Sequence, residues 1–462
     1  MASKELIAAI EIGSSAVHGT VGYRLPDGKL EVMKCVSEPS GEFIKNGVVR
    51  NIDKTAQCLT NIVNRLEGQL KNTTIERVYV GICGYTVHSV SNKVERMFDD
   101  EMRLTADIID AMEEENCQSA TSDRVVVKSI PQEYFADGVQ ISDPVGCNCR
   151  QLIGHYLNLE ARYSAMENLR AAFEMAKVET ADECIIPLSL SDVVLTAVDR
   201  NLGCALVDIG AGTTTVSVYK GDCLRFMAVI PLGDRLIVSD IVSLGIAADE
   251  AEEIYLRYGL SIKSDDASIY TTHSGNEVAL RDIGFAIRAR FHEMIENVEH
   301  QIRKAGFSGE NLKSGFVFTG GTMMVPEAQN YVNRQPFFER VRLATSPSDV
   351  IWSKDEAPIL SKQITLASLL NACTEPCCVQ EEPQEIDYSQ GNLTTGLLFD
   401  DYGESAQVER DRRKAAKLQE AAERRQKEKE ERNRQQEKKV GRLSLFERLT
   451  KMVSDQLFDN DE

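Results

Sequence analysis

Apolar and polar positions in the first half of the chain alternate between two periods. Residues 6–34 alternate strictly around two turns, which predicts three consecutive strands. Residues 53–70, 105–117 and 160–177 have the 3.6-residue spacing of helices, and 105–117 is strongly acidic. The short apolar run 78–83 predicts a buried strand. These patterns predict a chain that contains both strands and helices.

The second half repeats this mixture. A second strand–turn–strand block begins at Ala205, and helical patterns follow near 234–257 and 278–306. Residues 316–319 predict a strand that ends in a pair of glycines, and 359–372 predict a last helix.

Two segments resemble each other closely enough to indicate a duplicated domain. Residues 10–22 read IEIGSSAVHGTVG and residues 207–219 read VDIGAGTTTVSVY. Each has an apolar run, an acidic residue, Ile-Gly, a turn of small or hydroxyl residues and a second apolar run. The copies lie about 197 residues apart, which is too far for a solenoid repeat.

These two hairpins have the chemistry of phosphate-binding loops. Glycine lets the backbone approach an anion, and exposed N–H groups form a concavity that binds it. The acidic residues Glu11 and Asp208 suit Mg²⁺ held through water. One such hairpin is equally well an ordinary β-turn, but a duplicated pair predicts two loops that face each other across a cleft. The candidate phosphate contacts in the two loops are Gly13, Ser14, Ser15, Gly210, Gly212, Thr213 and Thr214.

Composition adds limits to this picture. A chain of 462 residues exceeds one domain, and its net charge of −20 argues against nucleic acid as a partner. The charge is uneven, since residues 409–440 hold 13 Lys and Arg against 8 Asp and Glu. No signal peptide or transmembrane run is evident, so we expect reduced cysteines and a cytoplasmic location. The cysteine spacing does not match a zinc site.

The C-terminal part predicts a charged tether that ends in an amphipathic helix. Residues 376–408 have few apolar residues and predict a disordered linker, and 409–440 are polar on every face. Residues 441–458 concentrate apolar side chains on one face, which favours weak insertion into an anionic membrane surface over docking on the protein's own core. Filaments would multiply this weak affinity. The predicted membrane-facing residues are Leu445, Phe446, Leu449, Met452, Val453 and Leu457.

Several motifs resemble the actin, sugar-kinase and Hsp70 superfamily. Residues 208–214 resemble its second phosphate loop, and 317–321 resemble its adenosine loop. Residues 187–196 and 364–370 resemble its two connecting helices. The resemblance implies an actin-like (ribonuclease H-like) α/β fold with two domains and a nucleotide cleft.

Within that superfamily, the chain resembles the FtsA family of bacterial cell division proteins. Residues 129–138 and 141–146 resemble that family's inserted subdomain, and 80–84 and 251–254 also fit. No β-rich C-terminal region follows, as Hsp70 would require. The resemblance runs from about residue 4 to residue 374.

The resemblance implies a division of the chain into domains, a linker and a membrane helix. The expected parts are domain 1 (1–84, 162–200 and 359–374), the inserted subdomain (85–161), domain 2 (201–233 and 307–358), its small subdomain (234–306), the linker (375–440) and the membrane helix (441–458).

By the same resemblance, the protein binds ATP and Mg²⁺ and is at most a weak ATPase. Glu252, Gly320 and Gly321 would contact the nucleotide, and Asp192 would orient an attacking water, although a solvent-facing role is an equal alternative for Asp192. The chain departs from the family in having Glu11 for Asp and Tyr255 for Lys.

The implied function is a scaffold that forms filaments and tethers the FtsZ ring to the inner membrane at the septum, as a peripheral protein on the cytoplasmic side. It would also bind later division proteins. Rival interpretations are a pilus-assembly scaffold and a phosphotransferase. Candidate acceptors for the acidic FtsZ C-terminal tail, for each of which an ordinary solvated charge is an equal alternative, are Arg288, Arg290, Arg303 and Lys304.

Overall fold

A computed structural model describes residues 5–70, 72–345, 349–353 and 360–380. The strands are β1 (Leu6–Ile12), β2 (Ala16–Arg24), β3 (Leu30–Pro39), β4 (Ile44–Lys45), β5 (Val48–Val49), β6 (Thr73–Ile75), β7 (Arg77–Ile82), β8 (His88–Arg103), β9 (Arg124–Ala136), β10 (Val139–Ile141), β11 (Asn148–Arg162), β12 (Glu179–Ile185), β13 (Cys204–Ile209), β14 (Thr214–Lys220), β15 (Cys223–Ile230), β16 (Ile269–Thr271), β17 (Glu277–Ala279), β18 (Gly315–Thr319), β19 (Val341–Leu343), β20 (Val350–Trp352) and β21 (Cys378–Gln380).

The helices are α1 (Ile52–Gln69), α2 (Ala106–Cys117), α3 (Tyr163–Ala176), α4 (Ile186–Val194), α5 (Ala197–Leu202), α6 (Asp234–Val242), α7 (Ala248–Tyr258), α8 (Leu280–Lys304), α9 (Ala328–Asn333) and α10 (Leu360–Ala372), with a short 3₁₀ turn at Gly321–Met324.

The duplication seen in the sequence is present in the sheets. One sheet has the order β12-β7-β1-β2-β3-β20, and the other contains β19-β18-β13-β14-β15 in the corresponding order. In each, the first strand of the hairpin pairs antiparallel with the second and parallel with a strand on its other side. β1 is buried along its whole length, as a strand with neighbours on both sides and layers on both faces must be.

Helices α4 and α10 pack against each other and against both halves of the duplicated core. α10 contacts β1, and α4 contacts both β12 and β13. The hydroxyl of Tyr219 on β14 donates a hydrogen bond to the carbonyl of Pro187 on α4, at 3.3 Å. These are the helices predicted at 187–196 and 364–370, and they bring the ends of β1 and β13 to one place.

The segment between β7 and α3 forms its own small core. Strands β8, β9, β10 and β11 make an antiparallel layer that continues the second sheet, since Ala228 on β15 pairs with His88 on β8. Its apolar cluster, which includes Leu104, Met112 and Tyr156, is separate from the two larger clusters. All of the predicted domain bounds, including those of the insert at 85–161, stay predictions.

Most predicted helices and strands are found, with two corrections. The helix predicted over 160–177 begins only at Tyr163, because residues 160–162 still pair as the end of β11. The predicted start of the linker at residue 375 is too early. Strand β21 pairs with β6, and the Cys377 N–H donates to the Leu6 carbonyl at 2.7 Å. Apolar Cys377 and Val379 therefore still belong to the folded part.

Among the described residues, no helix is both long and apolar enough to cross a membrane. The rest of the predicted linker and the predicted amphipathic helix with its six apolar residues lie outside the described residues.

Candidate functional site

The two repeated turns lie directly against each other. A Cβ built on Gly212 in the second turn would come within 2.5 Å of Ser14 Oγ in the first. A Cβ atom cannot approach an oxygen so closely, so the contact requires glycine at this position. The structure thus brings together the two loops that the repeat predicted to face each other.

The first turn is held by hydrogen bonds from a neighbouring loop. The Gly47 N–H donates to Ser14 Oγ at 2.8 Å, and the Ser40 hydroxyl donates to the Gly13 carbonyl at 2.7 Å. A Cβ on Gly13 would lie 2.4 Å from the Ala16 carbonyl oxygen, so the turn needs glycine there. The Ser14 hydroxyl is therefore partly committed to holding the loop.

The second turn lies over the first turn of α6. The Gly210 N–H donates to the Thr213 carbonyl at 2.9 Å, which closes the hairpin. The carbonyls of Gly210 and Ala211 accept from the N–H groups of Asp234 and Arg235 at 3.2 and 3.1 Å. Two N–H groups at this helix end are thereby satisfied, and the loop is fixed in place.

Gly320 closes the floor of the site. It has φ of +97°, and a Cβ there would lie 2.2 Å from the Ile209 carbonyl oxygen and 2.7 Å from Asp208 Oδ1. The backbone after β18 therefore passes close enough to Asp208 that only glycine fits. The predicted nucleotide contacts at Gly320 and Gly321 stay predictions.

A cavity of about 70 Å³ lies between these elements. This is smaller than the ~300–1,000 Å³ of pockets that enclose whole ligands, so in this conformation the cavity does not enclose a whole nucleotide. The residues that line the cavity are Glu11, Ile12, Gly13, Ser14, Ser15, Gly47, Cys83, Ile186, Asp208, Gly210, Ala211, Gly212, Thr213, Thr215, Gly320, Gly321, Lys362 and Thr365.

A buried ion pair lies at the end of β1. Lys362 Nζ is 2.8 Å from Glu11 Oε1, and the Glu11 side chain is only 8% exposed. Burial alone would raise the pKa of Glu11, but Lys362 and His18 hold it below its ordinary value. Burial likewise opposes the charge on Lys362, but Glu11, Asp208 and Asp234 together raise the pKa of its ammonium group. Both groups are therefore ionised at neutral pH.

Asp208 at the end of β13 has a different environment. Burial raises the pKa of Asp208 to about 6, Lys362 opposes this shift, and Glu11 adds to it. Two carboxylates beside a glycine-rich cradle fit a hydrated Mg²⁺ on a nucleotide phosphate, because Mg²⁺ usually keeps several waters and takes one or two carboxylates. Asp208 fits this role better than Glu11, since one oxygen of Glu11 already contacts Lys362.

Three predicted residues lie away from the cavity lining. The Thr214 hydroxyl donates to the Leu232 carbonyl at 2.9 Å, which is a structural bond to the loop between β15 and α6. Glu252 is exposed on α7, close enough to Asp234 to raise its pKa, although burial is the larger cause of that shift. Asp192 is largely exposed and pairs with Arg200 at 3.4 Å, so its predicted water-orienting role has no geometric support in this conformation.

The predicted acceptors on α8 have different surroundings. Arg290 forms a two-pronged ion pair with Asp240 at 2.8 and 3.1 Å, and Arg288 donates to the Ile262 carbonyl. Arg303 pairs with Glu299 at 2.7 Å and lies over the Phe337 ring, while Lys304 is exposed. Arg288 and Arg290 thus support the fold, whereas Arg303 and Lys304 lie at the end of the helix.

Lys362 is the main site residue that the sequence did not indicate. It belongs to the last helix predicted at 359–372, but it precedes the run 364–370 that resembles the second connecting helix. Its partner Glu11 is 351 residues away, so no local spacing links the two. The available signal was that Lys362 is the one charged residue in the sequence of α10. Cys83, Thr215 and Thr365 also line the cavity; each lies in a segment with a recognised pattern, but none was singled out as a site residue.

Comparisons with known proteins point to one family. The family model described as "Cell division protein FtsA" matches residues 205–363. The cell division protein FtsA of Porphyromonas gingivalis is 27% identical over 383 residues, which cover 80% of this chain and 79% of that protein. The FtsA of Bacillus subtilis is 27% identical over 342 residues, which cover 71% of this chain and 76% of that protein.

Among solved structures, a chain from a "PilM-PilN type IV pilus biogenesis complex" is similar with a TM-score of 0.56 at 15% identity. The match covers 79% of this chain and 97% of that chain, and at this identity it shows the fold alone. With the duplicated sheets and the two packed connecting helices, the chain has an actin-like α/β fold.

Proposed function

Since the chain belongs to the FtsA family of cell division proteins, we propose that it binds ATP with Mg²⁺ in the cleft between the two repeated turns. The observation that carries this proposal is the contact of the turns at Gly212 and Ser14, beside the glycine backbone at Gly320. Backbone N–H groups and hydroxyls from both turns can then surround one polyphosphate.

The residues lining the cavity suit binding better than rapid turnover. Of the described carboxylates that line the cavity, Glu11 is paired with Lys362 and Asp208 is assigned to Mg²⁺, while Asp192 is paired with Arg200 outside the cavity. We therefore expect a nucleotide-dependent scaffold with at most slow ATP hydrolysis. A bound nucleotide would fix the relative position of the two halves of the duplicated core that it bridges. In this way it would control whether the protein forms filaments.

Calorimetric titration of ATP with Mg²⁺ tests the site. Gly210→Asp adds a carboxylate to the second turn with little steric cost, because the nearest atom to a Cβ there is the Thr213 carbonyl oxygen at 3.5 Å. We expect this charge to weaken ATP binding about tenfold or more. Gly68→Asp, at an exposed position with nothing within 4 Å of a Cβ, is the matched control.

Glu252→Ala serves as a second arm of the titration, since the family resemblance assigns Glu252 to the adenosine end. Wild-type affinity in both Gly210→Asp and Glu252→Ala would refute the assignment of the cleft. Loss in Gly210→Asp alone would retain the phosphate site and remove Glu252 from it.

The proposed cellular role is a tether that carries FtsZ to the cytoplasmic face of the membrane. The whole chain has a net charge of −20, so an anionic surface repels it. Attachment would therefore depend on the basic stretch at 409–440 and the amphipathic pattern at 441–458. Single helices of this length bind weakly, and self-assembly into filaments would make attachment firm.

A surface groove at the end of α8 suits an acidic tail peptide. It has a volume of about 410 Å³ and is lined by Arg303, Lys313 and Arg340 around the Phe337 ring. Glu310 and Glu339 also line it, which would confine the peptide's carboxylates to the basic side. Among the predicted acceptors, Arg303 is thus the one with a concave surface beside it.

Co-sedimentation of FtsZ with anionic vesicles tests the tether in one assay. Full-length protein should carry FtsZ into the pellet, whereas a chain that ends at Lys439 should leave both proteins in the supernatant. Arg303→Glu should pellet without FtsZ, and Arg65→Glu, which breaks an exposed ion pair with Glu38, is the control. Equal pelleting of full-length and shortened chains would contradict the membrane helix, and equal FtsZ recovery with Arg303→Glu would contradict the groove.

A further inference from the structure

Lys362 is an unusual residue for its position. It lies in the first turn of α10, where the helix dipole disfavours a cation, and it precedes an apolar stretch that is buried. Its side chain is 25% exposed, and the ammonium group points to the end of β1 rather than to bulk solvent. A lysine held there against both burial and the dipole needs a partner within the cleft.

Glu11 is that partner, and it is itself not fully satisfied. Glu11 Oε1 contacts Lys362 at 2.8 Å, but Glu11 Oε2 is buried with no hydrogen-bond partner among the described residues. His18 lies directly opposite Glu11 across the hairpin, and its Nε2 is also buried without a described partner. The first turn therefore carries a polar cluster that is only partly paired.

The charges at the cavity show what the ammonium group can do. Of the described residues that line the cavity, Glu11 and Asp208 are negative and Lys362 alone is positive. A polyphosphate entering this cavity meets a net negative lining unless cations neutralise it. Lys362 is the cation that the protein itself supplies, next to the turn whose Gly13 would place a Cβ 3.7 Å from Glu11 Oε1.

On the basis of the proposed ATP site, we propose that Lys362 is a phosphate-binding residue that shares with Mg²⁺ the neutralisation of the bound nucleotide. Glu11 is the positioning residue, since it holds the ammonium group at the first turn. Asp208, which is beside Gly320 on the other strand, remains the carboxylate for the hydrated Mg²⁺. The two halves of the duplicated site would thus hold different cations. The Lys362 ammonium group lies at the end of β1, and the metal would lie at the end of β13.

Nucleotide affinity with and without Mg²⁺ tests this division. ATP binding is titrated in Mg²⁺ and in EDTA for the full chain and for Lys362→Met. In EDTA we expect the wild type to retain measurable affinity and the variant to lose about 10–100-fold, the range of one charge-assisted hydrogen bond. In Mg²⁺ the loss should be smaller, because the metal then neutralises the phosphates. Lys362→Arg should retain most of the affinity in EDTA.

A double variant separates the contact from folding and from total charge. Lys362→Met alone leaves Glu11 buried and unpaired, which can prevent folding. The double variant with Glu11→Gln and Lys362→Met removes one negative and one positive charge, so the net charge of the cavity is unchanged. Its loss of ATP affinity in EDTA should equal that of Lys362→Met. Lys54→Met is the control, since it breaks a Lys–Glu pair of the same 2.8 Å length on the surface.

Several outcomes would overturn the inference. One is that Lys362→Met or the double variant binds ATP in EDTA as tightly as the wild type, and another is that each loses the same factor in affinity in Mg²⁺ and in EDTA. A wild type that binds Mg²⁺–ATP but has no measurable affinity in EDTA would also overturn it. A wild type that binds no ATP even with Mg²⁺ would instead refute the proposed function.

Discussion

The two hairpins of the duplicated core share a backbone and differ in their charges. In the first, Glu11 on β1 faces His18 on β2. In the second, Asp208 on β13 faces Thr215 at the corresponding place on β14. Each acidic residue also pairs with a parallel strand, Glu11 with Gly81 and Asp208 with Thr319.

This difference gives the two acidic residues opposite electrostatics. Lys362 and His18 hold the pKa of Glu11 below its ordinary value against the effect of burial. Burial raises the pKa of Asp208 to about 6. A duplicated backbone can therefore provide two equivalent loops while its side chains divide the work, an ion pair on one side and a metal-facing carboxylate on the other.

The largest expected effect compares one glycine from each half of the fold. Gly320→Ala would place a Cβ 2.2 Å from the Ile209 carbonyl oxygen at a φ of +97°, and neither backbone segment can move without disturbing the other. We expect a loss of about 4 kcal/mol or more in the free energy of unfolding.

Gly81→Ala is the counterpart in the first half, beside Glu11. Its Cβ would meet the far end of the Leu369 side chain at 2.6 Å, which can rotate away. We expect about 1–3 kcal/mol of destabilisation, the usual cost of overpacking a core. Denaturant unfolding of both variants measures the difference, and equal losses would contradict the view that the floor at Gly320 is the more constrained half.

The glycines illustrate which features the sequence could predict. A turn of glycine and hydroxyl residues is local chemistry, so the repeat at 10–22 and 207–219 was sufficient to predict two facing loops. The Glu11–Lys362 pair joins residues 351 positions apart, and only the packing of α10 on β1 creates it. The long strand β8 was not predicted, because most of its residues are exposed and its apolar Met97 and Met102 face outward.

A smaller effect is expected from exchanging the side chains at one turn position. Ser14 corresponds to Ala211 in the repeat, and Ser14→Ala makes the first turn resemble the second. The change leaves the Gly47 N–H without its 2.8 Å acceptor, which should cost about 1–3 kcal/mol. Ala211→Ser adds a hydroxyl to a partly exposed loop and should change stability by less than about 0.5 kcal/mol. Thermal unfolding without nucleotide measures both, and a loss in Ala211→Ser equal to that in Ser14→Ala would show that Ser14 has no special role.

The smallest expected effect is a pair of opposite pH dependences. The folded-state pKa of Asp208, about 6, lies above its unfolded value, so the folded protein binds the extra proton between about pH 4 and 6. Asp208 therefore makes stability fall as pH rises through that window. The pKa of Glu11 is lowered on folding, so its contribution is present above its unfolded pKa and is lost as pH falls through the folded value.

Unfolding of Asp208→Asn and Glu11→Gln between pH 4 and 7, in EDTA and without nucleotide, separates the two hairpins. Relative to the wild type, Asp208→Asn should become more stable as pH rises, because it lacks the carboxylate whose ionisation burial opposes. Glu11→Gln should become less stable relative to the wild type as pH rises from 4 to about 5, near the ordinary pKa of a glutamate, because it lacks the ionised partner of Lys362. Parallel slopes in the two variants would mean that the hairpins share one electrostatic environment, and the division of work between them would then fail.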